Sequence, residues 1–201
     1  MASFNSKIDR KYWEEFIKGD KEAFSSIYRK SMDDLYSYGL SKTSDTSLVE
    51  DTIQDVFITL SKKRHLLNPE KNLEAYLFRS FRNMLIERLR ERSRKEDFVY
   101  KYSATDVEVA FENIEDTIIQ TEESEKYFKL IEKCMDSLSD RQREAIYLKY
   151  TNDFSYEEIA DILDIDVASS RTLIYRSIKK IRELLGRSAI VFFLFIKNLR
   201  Q

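Results

Sequence analysis

The sequence predicts an all-α fold, on three observations. Its 201 residues hold only three glycines and one proline, few for the many turns of a sheet protein. Charged residues make up 35% of the chain, and Leu, Ile, Glu, Lys and Arg are abundant. Apolar residues recur every three or four positions through most of the chain, the period of an amphipathic helix. The length suits two small helical domains, each with a modest core.

An N-terminal segment, 1–19, opens as MASFNSKIDRKYWEE. It lacks an apolar stretch between its charges, so no export signal is expected. From residue 20, Phe24, Ile27, Tyr28, Met32 and Leu35 predict one amphipathic helix, and Val49, Ile53, Val56, Phe57 and Leu60 a second. Ser47 followed by Glu50 reads as a capping box, which puts the second start near Leu48. The stretch RHLLNPEKN, Arg64 to Asn72, holds the single proline and two asparagines and marks a loop. A third helix runs from about Leu73 to Arg94. Leu77, Phe81, Met84, Leu85 and Leu89 point to its core side, with Arg79, Arg82, Arg88, Arg90, Arg92 and Arg94 opposite. Residues 20–95 thus form the first domain.

Over 96–126 the periodicity weakens and the charge becomes acidic, with Lys101 as the single cation between Glu96 and Glu125. This composition marks a linker. The second domain, 127–185, opens with Leu130, Ile131, Cys134 and Leu138 at helical spacing. Ser139 with Gln142, and Ser155 with Glu158, are capping boxes that start helices at Asp140 and Tyr156. Ser155 to Ile181 then combines a short helix, a tight turn and a longer basic helix, the layout of a helix-turn-helix. Ala160 is small where two helices must approach closely, and Asp166 caps the second helix. Ser169, Arg171, Thr172, Tyr175, Arg176, Lys179 and Lys180 line that helix's outer face, mixing groups suited to base edges and to phosphates. The tail, 186–201, carries the apolar run Ala189 to Ile196, far short of the roughly 20 residues that span a bilayer. No membrane insertion is expected; the run packs on the second domain or meets a partner helix.

A net charge of -2 leaves the distribution of charge, not its total, to identify partners. One cysteine and one histidine exclude an intramolecular disulfide and a Cys/His zinc set, and a reducing cytoplasm fits best. Trp13, His65 and Cys134 read as packing or surface residues. Glycine-rich phosphate loops and nucleophile–base sets are missing, so neither an enzyme nor a cofactor or metal is expected. The grouped carboxylates Glu50, Asp51 and Asp55 could in principle hold a metal ion.

The helix-turn-helix resembles region four of the RNA polymerase sigma-70 family, whose usual run is close to LSYEEIAEILGISVGTVKSRLSRARKKL. LSDRQREAIYLKY, Leu138 to Tyr150, resembles the family helix before it, commonly LPERQREVFLLRY. Three positions depart from that pattern: Asp164 replaces the turn glycine, Ser170 a packed valine, and Leu173 a common arginine. EDTIQDVFITL, Glu50 to Leu60, resembles the pattern AEDIVQEVFLRLW of region two, and Asn72 to Arg92 the family's promoter-melting helix, with Ser80 and Phe81 in place of Ile-Ala. Within the family the chain looks like the small extracytoplasmic-function (ECF) group.

The resemblance implies a sigma factor that binds core RNA polymerase through Asp51, Gln54, Asp55 and Phe57. It implies that Arg64, Asn68, Lys71, Asn72, Arg79, Arg82 and Asn83 open and read the minus-10 element as melted single strand. The helix-turn-helix residues would read the minus-35 element as duplex. The acidic linker is then either a tether or a strand in the polymerase's positively charged channel. An anti-sigma factor and a DNA-bound recruiting protein are further candidate partners. The alternative is a stand-alone helix-turn-helix regulator, although such a protein has no need of EDTIQDVF followed by an arginine-rich helix.

Overall fold

The computed structural model describes residues 10–68, 71–97, 131 and 133–186. The linker from 98 onward and the apolar tail from 187 lie outside the described residues, as do 1–9. The described residues are helical with connecting turns, and they fall into two compact units. No helix among them is long and apolar enough to cross a membrane.

The first unit contains α1 (Arg10–Lys18), α2 (Lys21–Leu40), α3 (Thr46–Lys62), a 3-10 turn (Arg64–Leu66) and α4 (Leu73–Asp97). Helix α2 is the hub and packs on α1, α3 and α4, while α3 also packs on α4. The predicted apolar positions supply the core: Ile27, Leu35, Ile53, Leu60, Leu77, Phe81 and Leu85 are 1% exposed or less. Rings from three helices join in a chain in which Trp13 stacks on Phe16 and Phe16 on Phe24, while Phe24 and Tyr28 meet the edge or face of Phe57. Helix α1, within the predicted N-terminal segment, is therefore packed structure, with Trp13 and Phe16 buried. Its signal was Trp13, Phe16 and Ile17 at helical spacing.

The start of α3 departs from expectation. Asp45, not Ser47, is the N-cap, because its carboxylate accepts the Leu48 N–H at 2.8 Å and Arg92 of α4 also holds it. An aspartate two residues upstream of Ser47 thus takes the last free amide of the first turn. Asn72 likewise caps α4, accepting the Glu74 N–H at 2.9 Å. At Gly39 three helices converge, and a Cβ there would lie 2.6 Å from Val49 Cγ1 and 2.9 Å from Phe81 Cζ.

In the second unit, a helical stretch at 133–137 leads into α5 (Asp140–Tyr150), α6 (Tyr156–Leu163) and α7 (Val167–Leu185). Both capping boxes close as predicted, at Ser139 with Gln142 and Ser155 with Glu158. Each of the three helices packs on the other two around Ala145, Ile146, Leu148, Ile159, Ile162 and Ile174, all 1% exposed or less. Cys134 is buried and free, and burial pushes its thiol up, away from reactivity.

Gly39→Ala is expected to destabilise the first unit by about 1–3 kcal/mol through overpacking, measured by chemical unfolding. The Asp45 carboxyl is held below the ordinary range, first by the Leu48 N–H and then by Arg92. Its stabilising effect is therefore complete above the ordinary carboxylate value of about 4 and is lost as pH falls below it. Asp45→Asn keeps the cap oxygen but not the charge, so the variant's unfolding profile is expected to be flatter through that acid range.

Candidate nucleic-acid interface

On α3, positions three and four apart share a face, and Asp51, Gln54 and Ile58 are exposed along it with Asp55 half-exposed. Ile58, at 49% exposure, is the apolar member of this stripe. Phe57, the residue predicted to fill that role, is 3% exposed and packs against Phe24 and Tyr28, so it belongs to the core. Helical phase separates them: Phe57 follows Ile53 and Leu60 inward, whereas Ile58 follows Asp51 and Gln54 outward.

The carboxylate of Asp55 is gripped by Arg88 of α4. The same guanidinium donates from Nη1 to Thr52 Oγ1 at 3.0 Å, and the fully buried Thr52 hydroxyl donates to the Leu48 carbonyl at 2.6 Å. Arg92 holds Asp45 at the other end of the pairing. Two of the six predicted outward arginines on α4 therefore turn back onto α3. Asp55 is thus held by Arg88, and no group of three or more His, Cys, Asp or Glu that could hold a metal ion is found among the described residues.

The remaining cations of α4 present a basic face. Arg79, Arg82 and Asn83 share one side at i, i+3 and i+4, the two arginines half-buried and Asn83 exposed. The preceding segment adds exposed Lys62, Lys63, Arg64, Asn68 and Lys71. Asn72, predicted here as a base reader, spends its side-chain oxygen on capping. The Asn68 backbone carbonyl accepts from the Trp13 indole at 3.3 Å.

In the second unit the turn between α6 and α7 follows the chemistry read from the sequence. Asp164 stands in the left-handed region at φ 53° and ψ 57°, where glycine is usual, and Ile165 N–H donates to the Ala160 carbonyl at 3.0 Å to close the helix end. Asp166 then caps α7 by accepting both the Ser169 N–H, at 2.8 Å, and the Ser169 hydroxyl, at 2.7 Å. These two Ser169 bonds hold the Asp166 carboxyl low, the hydroxyl first. Ser170 is fully buried and its hydroxyl finds no partner among the described residues.

The predicted reading face of α7 separates into three groups. Thr172, Tyr175 and Arg176 are exposed, Tyr175 at 67%. Arg171 is exposed but paired with Glu157 of α6 at 3.0 Å, and lies 5.7 Å from the Tyr156 ring centre. The Glu157 carboxyl is lowered by its own backbone N–H and then by Arg171. Lys179 pairs loosely with Glu183 at 3.8 Å. Lys180, expected on a phosphate, instead donates to the Ser137 carbonyl and ties α7 to the end of the helical stretch at 133–137. A groove of about 530 Å³ opens where Arg141 and Gln142 of α5 face Ser169, Thr172 and Arg176 of α7. Arg141 is an addition to the predicted face, and its signal was a cation beside a capping box.

Two family models match this chain, sigma-70 region 2 over residues 27–95 and sigma-70 region 4 over residues 128–181. The chain belongs to the sigma-70 family. Among its relatives, the ECF RNA polymerase sigma factor SigM of Bacillus subtilis (strain 168) is 27% identical over 162 residues, which cover 80% of this chain and 94% of that protein. ECF RNA polymerase sigma factor SigK of Mycobacterium sp. (strain KMS) is 24% identical over 170 residues, covering 84% and 86%. The fold is shared with the sigma factor RpoE of Bartonella quintana, solved with the anti-sigma factor NepR, at a TM-score of 0.59 and 23% identity over 82% of this chain and 97% of that one. CnrH, solved with the cytosolic domain of CnrY, gives a TM-score of 0.58 at 20% identity over 90% and 99%. In this sigma-70 protein of ECF type, the first unit holds region 2 and the second region 4.

Removing the unpartnered hydroxyl in region 4 by Ser170→Ala is expected to raise the stability of that unit by about 1 kcal/mol, read from its thermal transition. A loss of stability would show that Ser170 makes a bond the fold needs.

Proposed function

We propose that the chain captures core RNA polymerase through α3, opens the minus-10 element with α4 and the segment before it, and reads the minus-35 element with α7. The observation that carries this reading is the partition of region 2. A polar stripe with one exposed apolar residue, Asp51, Gln54, Asp55 and Ile58, lies on α3, and a cationic face lies on the α4 helix pinned to it. A protein docking site suits the first, an apolar anchor within a polar rim. The second suits a separated strand: Arg79 and Arg82 hold phosphates, and Asn68 and Asn83 offer hydrogen bonds to an unstacked base.

Region 4 acts on duplex. A helix of the diameter of α7 fits the major groove, where Thr172, Tyr175 and Arg176 meet base edges. Arg141 and the first-turn amides of α5 meet the flanking phosphate backbone. Arg171 must leave Glu157 to reach a phosphate, which lowers its net contribution to binding. The domains are 20–95 for region 2, with α1 as its N-terminal addition, 96–126 for the acidic linker and 127–185 for region 4. The linker occupies the polymerase's basic channel, its acidic run standing in for a nucleic-acid backbone.

The chain works as a non-catalytic specificity subunit in the cytoplasm. The fold it shares with RpoE, which was solved with the anti-sigma factor NepR, supports an anti-sigma factor as partner here. Recruitment by a second DNA-bound protein is favoured by one observation: Leu173 replaces a common family arginine while Arg171 is paired internally. Upstream reading then rests chiefly on Arg176, Tyr175 and Thr172.

The test is transcription from genomic DNA by core polymerase with the purified chain, the 5′ ends of the transcripts being mapped. Starts sharing one minus-10 and one minus-35 sequence are expected. Asp51→Asn combined with Ile58→Ala is expected to weaken core capture while leaving the selected sequences unchanged. Arg176→Ala is expected to cost about 1–3 kcal/mol at the upstream element alone. Tight duplex binding by the chain without polymerase at moderate salt, with no specific starts, would instead establish a stand-alone regulator.

A further inference from the structure

Helix α1 lies before residue 27, where the region 2 match begins. Its contacts lead to the segment proposed above to meet the minus-10 strand. Trp13 is 3% exposed, and its indole N–H donates to the backbone carbonyl of Asn68 at 3.3 Å. Helix α1 packs on the 3-10 turn Arg64–Leu66 as well as on α2. At its C-terminal end Gly19 adopts φ +100°, and the Arg64 guanidinium lies so close that a Cβ on Gly19 would sit 3.3 Å from Nη2. The ring of Trp13 is in turn fixed by stacking on Phe16, and Phe16 by stacking on Phe24.

The consequence is a support with two points of contact. Residues 64–68 expose Arg64, His65, Leu66 and Asn68 to solvent, with Leu66 at 72%. A connection so exposed has few apolar contacts of its own to fix its backbone. The bond from Trp13 holds one end, and at the other the Arg64 guanidinium lies against the bare backbone of Gly19. Base recognition by such a segment demands placement to within about 0.5 Å, which supporting contacts must supply.

We propose that α1 positions the minus-10-reading segment, with Trp13 holding the Asn68 backbone and Gly19 seating Arg64. Trp13 and Gly19 touch no DNA; they are positioning residues. This inference rests on the reading of residues 64–72 given above, and the experiment separates the two.

Trp13→Phe keeps a ring in the stack and removes the donor. Gly19→Ala leaves Trp13 intact and disturbs the seat of Arg64 through both φ and the added Cβ. Arg10→Ala, on the exposed side of α1, is the control. For each, core-polymerase affinity is measured beside the extent of strand opening, followed by permanganate reactivity of unpaired thymines, on promoters differing at single minus-10 bases. Both variants are expected to retain core affinity and to lose open complex by about fivefold, the scale of one hydrogen bond, with narrowed discrimination between minus-10 bases. The control is expected to match the parent.

Opening and base discrimination unchanged in both variants would overturn the inference while leaving the sigma-factor reading intact. So would a parallel loss of core affinity and opening, since Trp13 would then support the whole unit rather than the segment. An equal defect in Arg10→Ala would do the same. Failure of the parent chain itself to open any promoter would overturn the reading on which the inference rests.

Discussion

The pairing of α3 with α4 through Arg88 is the constraint on which the function proposed for the first unit depends. One guanidinium reaches both Asp55 on the stripe facing solvent and Thr52 in the interior. The ion pair alone contributes little, since Asp55 is about half exposed and water screens it. The bond to Thr52 counts for more, on the order of 0.5–1.5 kcal/mol, because that hydroxyl is fully buried. Its importance is geometric as much as energetic. It sets the register between the helix proposed to meet polymerase and the helix proposed to meet the melted strand, and Arg92 on Asp45 repeats the lock nearer the start of α3.

The same economy of cations shapes region 4. Lys180 and Arg171 look equivalent to Arg176 in the sequence, yet one ties helices together and another sits on a neighbouring carboxylate. What is left for the proposed DNA contact is a compact set at the start and middle of α7, facing the groove shared with α5. The Arg171 pair is exposed and screened by water, so in the proposed complex a phosphate can take the place of Glu157. The buried, unpartnered Ser170 beside it stands where the family packs an apolar side chain, and so lowers the stability of this helix pair.

Much of the architecture was legible because it rests on local chemistry. Capping boxes at Ser139 and Ser155, the left-handed Asp164 and the cap at Asp166 are decided by residues within four positions of one another. Helical period alone identified Ile27, Leu35, Ile53, Leu77 and Phe81 as core. The failures are long-range. Asp45 won the start of α3 from Ser47 partly because Arg92, 47 positions away, holds it. Arg88 and Lys180 left their predicted faces for partners 33 and 43 positions distant. Phe57 carried two readings in the sequence, as an inward position of the helical period and as a polymerase contact, and its burial agrees with the first, leaving Ile58 on the outer stripe.

In the proposed function Arg88 serves polymerase capture by holding Asp55. The direct measurement is core-polymerase affinity for Asp55→Asn, Arg88→Met and the double variant. If Arg88 acts through Asp55, each single variant weakens capture and the double variant is no weaker than Asp55→Asn. Losses that add in the double variant, or capture untouched by either change, would contradict it.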